Sequence, residues 1–380
     1  MKKEVHEIFA YPFDRAKIDP DFLTHYLQSF EKAARKSYWF KYFPHKILYK
    51  QADYIFLDTK YIDLIKSLSS PKILVLTGLG HRKKVDKYAF FFPHHYFIYT
   101  LHKVFITDPM LKEKISNDLV DFTVSFLKKI NPKALILSND SLFLERFLIF
   151  CARKAGIKSI CIQDGIFQST SNPILFHGKY TDFFYVWSEK QKNMFIRHGY
   201  DKLKLVVYGY PLKMKVFDKD TYNSNKVCLL GQPWEKYSKT LGIKKKKIFN
   251  DIVLQLATDH IVYKSHPGET EIEYFPDDIK IFHGNLSEAI EKYDYFLSFT
   301  STALIEVSLA KKIAIQLYDQ DFNSDIFEDI GYCYTFDVTK KMKFKSYLKD
   351  KIEPYHLDKN TLLINKNLGM RFLELEKELI

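Results

Sequence analysis

The sequence predicts an α/β chain folded into two Rossmann-like domains facing a central cleft. Three observations carry that expectation. Short apolar runs recur along the chain and alternate with stretches of helical apolar spacing, the pattern of parallel sheets built from β–α crossings. Several runs end in polar turns, and open α/β sheets bind ligands outside the carboxyl ends of their strands. A polar segment, Asp218–Asn225, interrupts the pattern near the middle and reads as a linker between two halves.

The 380 residues suffice for two domains of ordinary size, and 46% hydrophobic with 16% aromatic content supplies a sizeable core. A net charge of +12 points to anionic partners: a nucleotide sugar, an acidic glycan, an anionic membrane surface or nucleic acid. No zinc-finger, basic-zipper or RNP pattern is present, so nucleic acid is not expected as a partner. Cys151, Cys161, Cys228 and Cys333 are scattered in or beside apolar runs and form no C-x-x-C pair. Buried free thiols are expected rather than zinc or disulfides. The first residues lead into no apolar signal segment, and the apolar stretch 88–106 is broken by Pro93, His94, His95 and His102. A cytoplasmic location is expected, with peripheral contact to anionic inner-membrane lipid admitted by the charge.

In chain order, basic and aromatic residues interleave over 35–43 and read as an irregular lid packed on a core. Tyr54–Leu57 and Lys72–Leu76 read as strands. The second ends in Thr77-Gly78-Leu79-Gly80-His81, which lacks the third glycine and acidic partner of a dinucleotide fingerprint and the Gly-Lys-Ser/Thr of a P-loop. Lys112–Ile130 has helical spacing and stops before Pro132. Ala134–Leu137 is a strand ending in Ser138-Asn139-Asp140, Leu142–Ala155 a helix capped by Gly156, and Ser159–Ile162 a strand ending in Gln163-Asp164-Gly165. Asp140 and Asp164 thus stand at the carboxyl ends of adjacent strands, although an aspartate before glycine also serves as a plain turn. Phe183–Trp187, Lys190–His198 and Leu205–Tyr208 continue the alternation.

Past the linker, Val227–Leu230 opens a second α/β unit and ends in Gly231-Gln232-Pro233. Ile261–Tyr263 ends in Lys264-Ser265-His266-Pro267-Gly268, which places a cation, a hydroxyl and an imidazole together. A helix over Leu286–Lys292 leads to the strand Tyr295–Phe299, after which Thr300, Ser301 and Thr302 open the apolar helix Ala303–Ala310. Hydroxyls and unpaired N–H groups at a helix start favour an anion, although Ser-Thr there is also an ordinary cap. A nucleotide phosphate is the natural guest. Lys244–Lys247 reads as a solvated helix face or a lipid contact, and Ile313–Leu317 is a further strand. The domain boundaries are read as 1–222 for an acceptor-side domain and 226–345 for a nucleotide-donor domain. A helical tail, 346–380, is expected to return to the first.

Glycosyltransferases of the GT-B type have this architecture. Asp164-Gly165, His266-Pro267 and Ser301-Thr302, in that order over two domains, resemble the three short motifs of bacterial GT-B sialyltransferases and polysialyltransferases. Trp187-Ser188-Glu189, Tyr208-Gly209-Tyr210-Pro211 and Ala310-Lys311-Lys312-Ile313-Ala314 look like phrases of capsule-synthesis transferases, including Kdo transferases and teichoic-acid glycerophosphotransferases. The resemblance covers about Ala134–Asp321. It implies Asp164 as the base taking the acceptor proton and His266 assisting CMP departure, with Ser301 and Thr302 binding the donor phosphate. Lys264 and Pro267 lie beside His266, and Gly231 and Gln232 resemble the loop against the nucleotide. The family's acidic pair is here Gln163-Asp164, so one carboxylate is missing; Asp140 is the alternative base, and inversion or retention stays open.

The implied activity is transfer of a CMP-activated nonulosonic acid (sialic acid or a relative) to a hydroxyl of a bacterial capsule or lipooligosaccharide, without a metal or other cofactor. The alternative is a transferase using CMP-Kdo, CDP-glycerol or a UDP-sugar in capsule or teichoic-type polymer synthesis. A metal-dependent GT-A enzyme would need an Asp-x-Asp at a strand end; Asp319-Gln320-Asp321 comes late in the chain and Asp218-Lys219-Asp220 lies in the linker.

Overall fold

A computed structural model describes residues 51–68, 71–77, 82–85, 89–93, 109–141, 143–165, 178–211, 226–236, 238–256, 260–269, 279–322, 325–340, 342–350, 353–357 and 367–379. The segments expected as a lid (35–43), a glycine-rich turn (78–81) and a linker (218–225) lie outside the described residues.

The chain divides into two compact units, each an all-parallel sheet flanked by helices. The first holds β1 (Tyr54–Leu57), β2 (Ile73–Thr77), β3 (Phe90–Pro93), β4 (Ala134–Leu137), β5 (Lys158–Ile162), β6 (Phe183–Val186) and β7 (Leu205–Val207), in the order β3-β2-β1-β4-β5-β6-β7. Its helices are α1 (Ile62–Ser67), α2 (Arg82–Val85), α3 (Pro109–Ile130), α4 (Phe143–Ala155) and α5 (Glu189–Arg197). The strands are apolar on both faces because both faces are covered. Ile55, Leu57, Leu74, Leu76, Leu135 and Leu137 pack with Phe126, Leu127 and Ile130 of α3 and Leu148 and Cys151 of α4. Their neighbours Tyr54, Phe56, Val75, Ile136 and Ile162 point the other way, onto Leu64 and Ile65 of α1.

The second unit holds β8 (Val227–Leu230), β9 (Ile261–Lys264), β10 (Lys280–Ile281), β11 (Tyr295–Ser298), β12 (Ile313–Tyr318) and β13 (Tyr334–Asp337), ordered β10-β9-β8-β11-β12-β13. With it go α6 (Lys239–Leu256), α7 (Leu286–Lys292), α8 (Ala303–Leu309), α9 (Phe327–Ile330) and α10 (Phe344–Lys349). Phe249, Ile252 and Leu256 of α6 and Phe344 of α10 cover Val227, Leu229, Tyr263, Leu297 and Ile315. The boundary read at 345 falls inside α10, whose Phe344 is buried in this second core and whose Tyr347 hydroxyl donates to the Thr335 carbonyl at 3.0 Å.

The last helix, α11 (Leu368–Leu379), belongs to the first unit. Leu368, Phe372 and Leu375 join the core beside Tyr54, Tyr185 and Tyr208, and the Tyr208 hydroxyl donates to the Leu368 carbonyl at 3.1 Å. The four cysteines are free and buried, and burial raises each thiol's pKa, which suits inert core residues. Among the described residues no helix is long and apolar enough to cross a membrane.

Candidate functional site

In both sheets the strand order reverses once, between β1 and β4 in the first and between β8 and β11 in the second. Loops leaving neighbouring strands diverge there, which opens a crevice at the carboxyl ends. In the second unit the expected residues gather at this edge, because β9, β8 and β11 are adjacent. Gly231 and Gln232 follow β8, Lys264 to Pro267 end or follow β9, and Thr300 to Thr302 follow β11.

Gln232 ties the two sides of the crevice together. Its Oε1 accepts from the Thr300 backbone N–H at 2.8 Å and the Ser298 hydroxyl at 3.3 Å, while its Nε2 donates to Thr300 Oγ1 at 2.7 Å. An amide used on both ends shapes the turn that presents Ser301 and Thr302. Ser301 Oγ accepts the Ala303 N–H at 3.3 Å, and Thr302, half-buried at the start of α8, makes no side-chain cap bond.

The His266 turn is built tightly. The Glu269 N–H donates to the His266 carbonyl at 2.9 Å, and the Gly268 N–H donates to His266 Nδ1 at 2.9 Å. That second bond selects the neutral ring tautomer with its proton on Nε2, a hydrogen-bond donor. The ring is exposed and Lys264 half-buried. Gly231 is required by its neighbours, since a Cβ there would overlap the Glu269 carboxylate and the Tyr263 hydroxyl.

The first unit has a different edge. Asp164 lies two residues past β5, half-buried, and pairs with the Lys60 ammonium, whose side chain is 44% exposed. Gly165 turns the chain at φ 90°, as a left-handed residue must. Gln163 points the other way and is fully buried. Its Oε1 accepts from Trp187 N–H at 3.0 Å, its Nε2 donates to Gln191 Oε1 at 2.9 Å, and its carbonyl accepts from Trp187 Nε1 at 3.0 Å. The position of the missing carboxylate therefore links β5 to α5 and holds no accessible base.

Asp140, the alternative base, lies at a different kind of site. It is fully buried, and its oxygens accept the N–H groups of Gly178 at 2.8 Å, Tyr180 at 2.7 Å and Thr181 at 3.1 Å. A carboxylate enclosed by three backbone donors anchors the loop before β6.

Sequence reasoning missed Asp58, which follows β1 at the first sheet's reversal point with φ 85°, a strained value for a non-glycine residue. It accepts from Ser138 Oγ at 2.8 Å and from Lys60 N–H at 2.6 Å, and burial raises its pKa against those bonds. Its signal was its place, directly after a strand, as Asp164 lies close after one. The lysine run was misread in part. Lys245 is buried between Glu235 and Glu269, and Lys244 bridges Asp319 and Asp321 at 2.6 Å each. The Asp-x-Asp carboxylates thus already share a lysine ammonium.

No family model matches the sequence, and no curated protein matches it. Solved structures do match in fold. UDP-GlcNAc 2-epimerase from Methanocaldococcus jannaschii is 15% identical, with a TM-score of 0.57 over 85% of this chain and 99% of that one. The S. aureus MnaA–UDP co-structure is 14% identical, with a TM-score of 0.54 over 86% and 96%. A glycosyltransferase from Rickettsia africae is 12% identical, with a TM-score of 0.52 over 87% and 99%. At such identities the likeness speaks for architecture, and with the two parallel sheets it makes this chain a GT-B fold of two Rossmann-like domains.

Proposed function

We propose that the chain is a glycosyltransferase that takes a nucleotide-activated sugar, with the donor's phosphate at the edge of the second domain. The carrying observation is the reversal point between β8 and β11, where the Gln232–Thr300 clamp presents Ser301 and Thr302 beside Lys264 and His266. A departing nucleotide phosphate gathers negative charge, and fixed N–H and O–H donors with a nearby ammonium stabilise it as the bond to the sugar breaks. His266 serves as a hydrogen-bond donor through Nε2. In the first domain Asp164 takes the proton from the acceptor hydroxyl as the new C–O bond forms. Its partner Lys60 is exposed enough that the pair opens at little cost, since exposed ion pairs are worth about 0–1 kcal/mol.

A UDP-sugar is the donor we favour, because a protein of like fold is known with UDP bound and another acts on UDP-GlcNAc. A CMP-activated nonulosonic acid is the second reading, supported by the order Asp164-Gly165, His266-Pro267, Ser301-Thr302. Both readings proceed without a metal, the positive charge at the phosphate coming from Lys264. Thermal-shift titration with UDP, CMP, CDP and GDP, with and without Mg²⁺, decides between them, because a ligand bound only by the folded state raises Tm. UDP-selective stabilisation supports the favoured donor and CMP-selective stabilisation the second. No stabilisation by any nucleotide would sink both.

A further inference from the structure

Beneath the His266 turn lies a buried charged group that donor binding does not use. Lys245, on α6, is 6% exposed, and its ammonium makes three hydrogen bonds: to the Gln232 carbonyl at 2.8 Å, Glu235 Oε2 at 2.9 Å and Glu269 Oε1 at 2.6 Å. The Glu269 side chain is 1% exposed. Its Oε1 also accepts the Tyr263 hydroxyl at 2.5 Å, and its Oε2 accepts the His266 backbone N–H at 2.6 Å. One carboxylate therefore fastens the turn to β9, to α6 and, through Lys245, to the loop after β8.

Removing two charges from water is costly, and well-packed apolar residues often stabilise a fold as well or better. A buried pair tied to the backbone of an exposed, chemistry-bearing imidazole suits a positioning role. We propose that Glu269 and Lys245 are positioning residues for His266, holding its turn so that Gly268 N–H meets Nδ1 and Nε2 presents its proton to the donor phosphate. This rests on the transferase reading for the identity of the ligand, though not for the geometry of the turn.

The geometry gives a test that separates a brace from a prop. Lys245→Met/Glu269→Leu replaces the pair by apolar side chains; Glu235, with 21% of its side chain exposed, can turn to water. The double variant is expected to fold with a lowered melting temperature, because the Tyr263 hydroxyl, the His266 N–H and the Gln232 carbonyl lose their partners. Histidine ¹⁵N spectra, with the His266 signals identified by their loss in His266→Ala, report the ring directly. The unaltered protein should show a single Nε2–H tautomer, and the double variant a mixture. Turnover of the nucleotide sugar should fall on the order of 10–10²-fold with donor KM nearly unchanged, as misplacement of a reacting group predicts. In a His266→Ala background the same pair of changes should cost nothing further.

A double variant with an unchanged tautomer and unchanged turnover would overturn the proposal. If it unfolds, Glu269→Gln answers the same question, because one amide oxygen cannot replace two carboxylate oxygens that between them accept from Lys245, Tyr263 and His266. An unaltered protein that binds no nucleotide removes the transferase reading, while the tautomer measurement still decides whether the pair positions the ring.

Discussion

The two sheets share a strand order and differ in what they place at the reversal. At the first, Asp58 follows β1 and Asp164 follows β5, with Asp140 and Glu145 close behind, so the edge is acidic. At the second, the end of β9 and the loops after β9 and β11 carry Lys264, His266, Ser301 and Thr302, so this part of the edge is rich in donors, with positive charge from Lys264. A parallel sheet supplies the same cup twice, and the lining decides the chemistry. Carboxylates suit proton removal from a hydroxyl, and donors suit a departing phosphate. The carboxylates inside each domain are handled differently as well. Asp140 accepts from backbone N–H groups, whereas Glu269 pairs with a lysine ammonium and accepts from a tyrosine hydroxyl.

The sharpest way to break this comparison is to remove one group from each edge. Asp164→Ala and His266→Ala should each fold and lose on the order of 10²–10⁴ in turnover, the range of positioned proton-transfer and charge-stabilising groups. They should differ in binding: Asp164→Ala keeps the nucleotide-induced thermal shift, and His266→Ala diminishes it. Equal shifts in the two variants would dissolve the division of labour between the domains.

A second contrast lies within the acidic edge. Asp140→Ala leaves the buried N–H groups of Gly178, Tyr180 and Thr181 without their acceptor, and the loss should be on the order of 3 kcal/mol or more, at about 1–3 kcal/mol per stranded donor. Urea denaturation reads it. Asp164→Ala, at a half-buried site with an exposed partner, should stay within about 0.5 kcal/mol of the unaltered protein. Similar midpoints for the two would show that Asp140 is no anchor.

Legibility in the sequence follows the same division between backbone and side chain. Runs such as Ala134–Leu137, Val227–Leu230 and Ile313–Leu317 announced themselves because strands buried on both faces are continuously apolar. β3 was missed: Phe90–Pro93 merges with the aromatic residues around it, and its proline masks a strand that, in the sheet order, lies at the edge. β13 was missed too, since Tyr334–Asp337 is short and half polar. Of the site, the order of motifs gave the residues at strand ends, because turn chemistry is local. The partnerships were not legible. Gln232 to Thr300 spans 68 residues, and Lys245 to Glu269 spans 24 with a strand between them. The four letters of Lys-Lys-Lys-Lys are identical, and the fold alone selects that Lys244 and Lys245 meet carboxylates while Lys247 is exposed.

A pH-dependent effect concerns Glu145, in the first turn of α4, which belongs to the acidic edge. Burial, then the charges of Asp58 and Asp140, push its carboxyl from an ordinary 4.5 up to about 7, with a backbone hydrogen bond opposing the shift. Between those values the folded chain keeps a proton that the unfolded chain releases, so this group's contribution to stability falls as pH rises through that window and levels off above about 7. Glu145→Gln carries no such proton. Its melting temperature relative to the unaltered protein should therefore climb from pH 4.5 towards pH 7 and then stay flat, which calorimetry at matched ionic strength can follow. A difference that does not change with pH would mean that Glu145 is not held protonated. The accumulation of negative charge behind Asp58 and Asp164 would then have no cost, and the contrast between the two sheet edges would reduce to a difference in residue type.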